Sequence, residues 1–185
     1  MAKEPKQYKS QLLKLLKQKA VKTGRIKLSS GKISNFYVDG RLITLTPEGA
    51  WLIANIMLEM IKDKRIDAIG GPTMGADPIA GAVACAAFLK DMPLKAFIVR
   101  KAKKGHGTQR QIEGPNLKRG ARVVIIDDVA TTGRSLIEAK QALDKIGVKV
   151  DSAIVVVDRQ EGAKENLKKA GCKLLSIFKK KDLIS

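Results

Sequence analysis

Short apolar runs alternate with longer helical patterns from Asp67 onward. The runs RVVII at 122–126 and AIVVV at 153–157 are continuous and β-branched, as strands covered on both faces should be. Residues 68–70 and 96–99 read as shorter partners. Between them, 76–89 is small and apolar almost all round and predicts a buried helix packed close on the sheet. Leu136, Ile137, Leu143 and Ile146 give the helix after Gly133 one apolar face, leaving Glu138, Lys140, Asp144 and Lys145 for the wet one. A further helix is expected at 47–61, capped by Thr46 with proline at its first position. This alternation is the signature of right-handed βαβ units around a parallel sheet, an α/β fold. The stretch SNFYVDGRLIT at 34–44 breaks the rhythm and resembles a β-hairpin with a glycine turn, outside the βαβ core.

The 185 residues, 44% of them hydrophobic, suit one buried core, and no repeat or interdomain linker interrupts them. One domain spanning 1–185 is expected. No apolar run reaches the roughly 18 residues of a membrane span, and the N-terminus carries charge throughout, so a soluble, cytoplasmic protein is expected. Cys85, in an Ala-rich run, and Cys172, beside a glycine, have no metal-type spacing and read as reduced, buried thiols.

The net charge of +18 changes the picture by where it sits. Residues 1–32 hold 10 basic and 1 acidic side chains, and 100–122 hold 8 and 1. A general surplus suits nucleic acid, whereas a basic loop between two neutral stretches asks for an anionic small ligand. That loop, Arg100-Lys101-Ala102-Lys103-Lys104-Gly105-His106-Gly107, sets glycines on either side of the only histidine. Its cations repel one another unless a polyanion compensates them.

The strongest chemical signal is VVIIDDVATTGRSL at 123–136. A buried strand ends in Asp127 and Asp128, and the chain turns through Val129, Ala130, Thr131, Thr132 and Gly133 into a helix beginning near Arg134 and Ser135. Unsatisfied N–H groups and the positive end of the helix dipole converge there, so 129–135 can hold a phosphate, with the hydroxyls of Thr131, Thr132 and Ser135 helping. Two acids beside a phosphate suit hydroxyl donors, such as the 2′ and 3′ hydroxyls of a ribose whose 5′-phosphate fills the loop. A nucleotide-triphosphatase reading lacks its partner, since no G-x-x-x-x-G-K-[ST] occurs.

An apolar strand, Asp-Asp, three residues and Thr-Gly resembles the phosphoribosyl pyrophosphate motif of type I phosphoribosyltransferases. By itself it leaves the base open among orotate, purines and uracil, and a nucleotide-sensing regulator with a nucleic-acid-binding surface is the alternative from another class. Three further stretches, reaching from Gly24 to Ala163, narrow the resemblance to the orotate phosphoribosyltransferase family. The resemblance implies the type I fold, a central, mainly parallel sheet flanked by helices, with a small hood formed by about residues 1–45 and a C-terminal contribution. It implies that Thr73, Met74 and Gly75, in Gly71-Pro72-Thr73-Met74-Gly75, bind pyrophosphate, although many members carry lysine in place of Met74. It makes the basic loop a mobile lid in which Arg100, Lys101, Lys104 and His106 clamp the leaving pyrophosphate. His106 becomes a proton carrier, and Lys104, His106 and Asp128 become the catalytic residues.

The hood stretch Leu28-Ser29-Ser30-Gly31-Lys32, followed by Ser34, Tyr37, Asp39 and Arg41, is implied to hold orotate, with Ser30, Gly31, Lys32 and Tyr37 in contact. Ser29 stands where many members have lysine, so a cation would come from Lys27 or Lys32. Arg159, in Asp158-Arg159-Gln160-Glu161-Gly162, is implied to pair with the orotate carboxylate, with Thr131 beside it. The resemblance further implies magnesium carried by substrate oxygens and water without direct protein ligands, and a homodimer in which each lid closes the neighbouring site. Neither nucleic acid nor membrane is an expected partner.

Overall fold

The computed structural model describes residues 5–27, 31, 33–101 and 111–184. Helix α1 (Pro5–Leu15) runs through a π-helical turn (Leu16–Ala20) into strands β1 (Val21–Lys27) and β2 (Ile33–Val38). Short helix α2 (Arg41–Thr44) and helix α3 (Pro47–Ile61) lead to β3 (Ala68–Pro72), α4 (Asp77–Phe88), β4 (Lys95–Val99) and β5 (Ile112–Glu113). The chain continues through β6 (Arg122–Ala130), α5 (Arg134–Lys145), β7 (Lys149–Asp158), α6 (Ala163–Lys169), β8 (Leu174–Lys179) and α7 (Lys180–Ile184).

Six strands form the central sheet in the order β5-β4-β3-β6-β7-β8, all neighbours parallel except β4 and β5. The apolar runs are continuous because both faces are covered. Val124, Ile126, Ile154 and Val156 join a cluster with α1, α3 and α4, whereas Val123, Ile125, Ala153 and Val155 join a second with α5 and α6. Leaving β3, the chain first adds β4 on one side and then β6 on the other. The crevice at the carboxyl ends of β3 and β6 is therefore the switch point where open α/β sheets bind ligands.

Helix α3 starts as expected: Pro47 occupies its first turn and the Gly49 N–H donates to the Thr46 hydroxyl at 3.2 Å, a cap worth about 1 kcal/mol. Other expectations need correction. The hairpin pairs β1 with β2, so it spans Val21–Val38 rather than 34–44, and α2 follows it. The cause is local: the Asp39 carboxylate accepts the Arg41 N–H at 3.2 Å and turns the chain into a helix where a second strand was expected.

Strand β6 runs on through both acids to Ala130 because Val129 and Ala130 pair with Val157 and Asp158, which leaves only 131–133 as loop. Helix α4 buries one face, with Ile79, Ala80, Val83, Ala86 and Ala87, while Gly81, Cys85 and Phe88 are exposed. Cys85 is thus an exposed thiol and Cys172 a buried one. Ile146 caps α5 outside its packed face and is 46% exposed.

Candidate active site

A cavity of about 350 Å³ opens over the switch point. Its floor is the end of β6, with Asp127, Asp128 and Val129; one wall is the β3–α4 turn, with Thr73, Met74 and Gly75; its roof is the end of β2 with Tyr37, Asp39, Gly40 and Arg41. Thr131, Ser135, Lys101 and Arg159 complete it. A second cavity, of about 470 Å³, is lined by Lys101, Glu138 and the whole loop Val129, Ala130, Thr131, Thr132, Gly133, Arg134 and Ser135. The two share Lys101, Val129, Thr131 and Ser135, so a phosphate in one and a sugar in the other can belong to one ligand.

Both glycines next to the acids are there because nothing larger fits. A Cβ on Gly75 would meet Asp128 Oδ1 at 2.6 Å and strike Asp127 Oδ1, and one on Gly40 would meet Asp128 Oδ2 at 2.7 Å. Hood and β3–α4 turn therefore converge on one carboxylate. Within that turn the Thr73 hydroxyl donates to Asp77 at 2.6 Å, which ties the loop to the start of α4. Gly133, at φ +76°, lets the chain enter α5 with its first amides facing the second cavity.

Burial first, then the neighbouring Asp128, pushes the Asp127 carboxyl up to about 8. The Asp128 N–H and the Ser135 hydroxyl, donating at 3.0 and 3.1 Å, only partly oppose this. Asp128 is also raised by burial, and the Val129 N–H at 2.7 Å and the Arg41 charge hold it down. Two acids held above their ordinary range in a polar cavity are poised for a partner that rewards ionisation.

Arg159 is only 6% exposed, and Asp158 beside it is equally buried. Its backbone N–H continues the sheet by donating to Ala130 O at 2.9 Å. The Nη2 group donates to Phe36 O at 3.2 Å and Ser34 Oγ at 3.4 Å and pairs with Glu161 at 2.9 Å. Its Nε is buried with no hydrogen-bond partner. A guanidinium held by Phe36, Ser34 and Glu161 among the residues lining a cavity suits a planar anion.

The remaining sequence-derived residues are placed less centrally. Arg100 pairs with Glu113 at 3.5 Å beside Lys101 at the root of the basic loop. Arg134 is exposed and pairs with Glu138 at 2.8 Å, which compensates an acid lining the second cavity. Gly31 is exposed and lines neither cavity. Ser30, Lys32, Lys104 and His106 lie outside the described residues. Sequence reasoning read Gly40 only as the turn of a hairpin, not as a residue pressed against Asp128, and it missed Asp77.

The sequence profile of the phosphoribosyl transferase domain family matches residues 43–179. An orotate phosphoribosyltransferase of Aquifex aeolicus is 45% identical over 179 residues, which cover 95% of this chain and 97% of that one. The crystal structure of the orotate phosphoribosyltransferase of Mycobacterium tuberculosis in complex with 5-phospho-alpha-D-ribosyl 1-diphosphate matches with a TM-score of 0.79 at 32% identity, covering 96% of this chain and 99% of that one. The orotate phosphoribosyltransferase of Aeropyrum pernix matches with a TM-score of 0.76 at 37% identity, covering 94% and 96%. The chain belongs to the phosphoribosyl transferase domain family and, within it, to the orotate phosphoribosyltransferases, enzymes of the pentosyltransferase class.

Proposed function

We propose that the chain transfers the 5-phosphoribosyl group of phosphoribosyl pyrophosphate to orotate, giving orotidine 5′-monophosphate and pyrophosphate in pyrimidine biosynthesis. The observation that carries the choice of base is the Arg159 guanidinium, buried and lining the same cavity as the acidic pair. Orotate brings a carboxylate to that donor, which hypoxanthine, guanine, adenine and uracil lack. Tyr37 and Thr131 line that cavity. Gly31 does not line it here, and its contact with the base, with those of Ser30 and Lys32, is part of the proposal.

The 5′-phosphate takes the amides and hydroxyls of 129–135, and the ribose hydroxyls donate to Asp127 and Asp128. The pyrophosphate lies against Thr73, Met74 and Gly75, closed in by Arg100, Lys101, Lys104 and His106. Breaking the bond at the anomeric carbon leaves positive charge on the sugar and negative charge on pyrophosphate. Asp128 faces the first and the lid cations face the second, and they act most strongly once the closed lid excludes water. His106 is the proposed proton carrier, since an imidazole ordinarily titrates near neutrality. Orotate needs no dedicated base, since its attacking nitrogen gives up its proton readily.

Magnesium fits this cavity as an ion brought by substrate. Asp127 and Asp128 on the cavity floor are the residues that would hold it through its waters. Bound there, it would neutralise the pyrophosphate.

A homodimer with shared lids is part of the proposal, as is one domain over residues 1–185 in which the hood and α7 close one end. Supporting a second copy, Leu42, Leu45, Trp51, Phe88 and Leu89 are exposed along α2, α3 and the end of α4, which pack on one another. No helix among the described residues is long and apolar enough to cross a membrane, and we place the enzyme in the cytoplasm without nucleic acid as a partner.

The test is loss of orotate absorbance on adding phosphoribosyl pyrophosphate and magnesium, with uracil, hypoxanthine and adenine in parallel. Turnover of a purine in preference to orotate would overturn the choice of base.

A further inference from the structure

Hood strand β2 runs across the cavity with a direction that the contacts fix. Its start, at Ser34 and Phe36, receives the Arg159 guanidinium. Past its end, Gly40 presses on Asp128, the carboxylate on which Gly75 of the β3–α4 turn also presses. Residue 41 therefore sits at the opposite end of the site from Arg159, beside the turn proposed for pyrophosphate. That turn, Gly71-Pro72-Thr73-Met74-Gly75, carries no cation, and Met74 offers a thioether that is 65% exposed. Among the described residues that line this cavity, the cationic ones are Arg41, Lys101 and Arg159. Arg159 is committed to the base end, and Lys101 adjoins the basic loop.

We infer that Arg41 is the fixed cation for the diphosphate of phosphoribosyl pyrophosphate, held in position by Asp39. The assignment rests on the site reading above. Asp39 accepts Arg41 Nε at 3.0 Å and Nη2 at 3.3 Å, and the Arg41 backbone N–H at 3.2 Å, so one edge of the guanidinium is clasped and its direction is set. The clasp takes two of five donors. The other edge, Nη1 with the second Nη2 hydrogen, is a planar fork matched to two phosphate oxygens. The side chain is 48% exposed, so it meets incoming ligand without a rearrangement of the core. The arrangement also suits the acid next to it: burial raises Asp128, and Arg41 is among the groups that hold it down. Removing Arg41 thus removes a diphosphate contact and one of the groups that oppose the rise of the Asp128 pKa.

The experiment measures binding of phosphoribosyl pyrophosphate with magnesium by calorimetry, and steady-state kinetics, for wild type, Arg41→Gln, Arg41→Lys and Asp39→Asn. Arg41→Gln should weaken Kd and raise KM for phosphoribosyl pyrophosphate by about tenfold or more, the loss of one charge-assisted contact. KM for orotate at saturating phosphoribosyl pyrophosphate should stay within about twofold. Arg41→Lys should restore part of the affinity, because it returns the charge without the fork. Asp39→Asn should weaken the same ligand by a smaller factor, and it keeps the assignment open to refutation if Arg41→Gln fails to fold. Unchanged affinity for phosphoribosyl pyrophosphate in Arg41→Gln, or a loss that falls on orotate instead, overturns the assignment. Calorimetry needs no base. A wild-type chain that binds phosphoribosyl pyrophosphate but leaves orotate untouched would sink the proposed activity while the Arg41 comparison still stands.

Discussion

Arg159 does two things with one side chain. Its Nη2 ties strand β2 to the core through Phe36 O, and the residue also lines the cavity proposed for the base. Arg159→Ala should lower kcat/KM for orotate by roughly ten- to a hundredfold, the cost of about 1.5–3 kcal/mol for a lost charge-assisted pair. Affinity for phosphoribosyl pyrophosphate, measured without base, should change far less; equal weakening of both substrates would count against the carboxylate role. Asp127 makes a prediction of a different kind. Its folded value, about 8, lies above the ordinary 3.8, so folding favours the protonated acid. That contribution is fully present below the ordinary value and is lost as pH rises through the folded one, because the unfolded chain gives up this proton first. Asp127→Asn keeps the neutral form at every pH. Without ligand it should melt above wild type near pH 8, by roughly 2–4 °C for each kcal/mol recovered, and the gap should close towards pH 4. The same variant should bind phosphoribosyl pyrophosphate less well, which would mark the acid as held at a cost in stability for the sake of binding. Melting curves that run parallel across this range would rule the buried proton out.

At the scale of elements, the site depends on three backbones meeting at the end of β6. Gly75→Ala tests that meeting: the added Cβ would overlap Asp127 Oδ1 and sit 2.6 Å from Asp128 Oδ1, so either the acids or the turn must move. Affinity for phosphoribosyl pyrophosphate should fall at least about tenfold, as one misplaced contact group would cost, with little change in melting temperature. A normal affinity would show that the turn is free to back away. The β6–loop–α5 unit was legible in the sequence because its signals are local: a β-branched run, two adjacent acids, a glycine and a helix start. Thr46 and Pro47 announced α3 for the same reason. Strand β1, Val21–Lys27, gave no such signal, since it holds Lys22, Gly24, Arg25 and Lys27 with only Val21 and Ile26 apolar, and it owes its existence to pairing with β2. The extension of β6 through Ala130 and the burial of Arg159 likewise follow from β7 and β2, elements remote in sequence, which local pattern cannot report. Gly40 is the sharpest case. Its neighbour Asp39 reads as a turn residue, but the reason for glycine is a carboxylate 88 positions away, at Asp128.

At the scale of the whole molecule, the proposal of shared lids turns on which subunit's basic loop serves which cavity. Lys101 stands at the root of the loop and lines the cavities of its own subunit. Lys104 and His106 are proposed to reach the neighbour's cavities across an isologous interface. Two variants separate the alternatives: Asp128→Asn, broken in the ribose clamp, and Lys104→Ala, broken in the lid, each expected to be nearly inactive alone. Unfolding and refolding an equal mixture should make about half of the dimers mixed by random pairing of two equivalent subunits. With lids exchanged, each mixed dimer has one site carrying both defects and one carrying neither. Activity should then return to roughly a quarter of wild type, counting sites in a two-fold dimer. If each lid served its own subunit, every site would keep one defect and mixing would restore nothing. The mass of the mixed dimer, measured on the same sample, decides whether exchange took place. Mixed dimers without recovered activity would end the shared-lid proposal and leave the roles of Asp128 and Lys104 within one subunit intact.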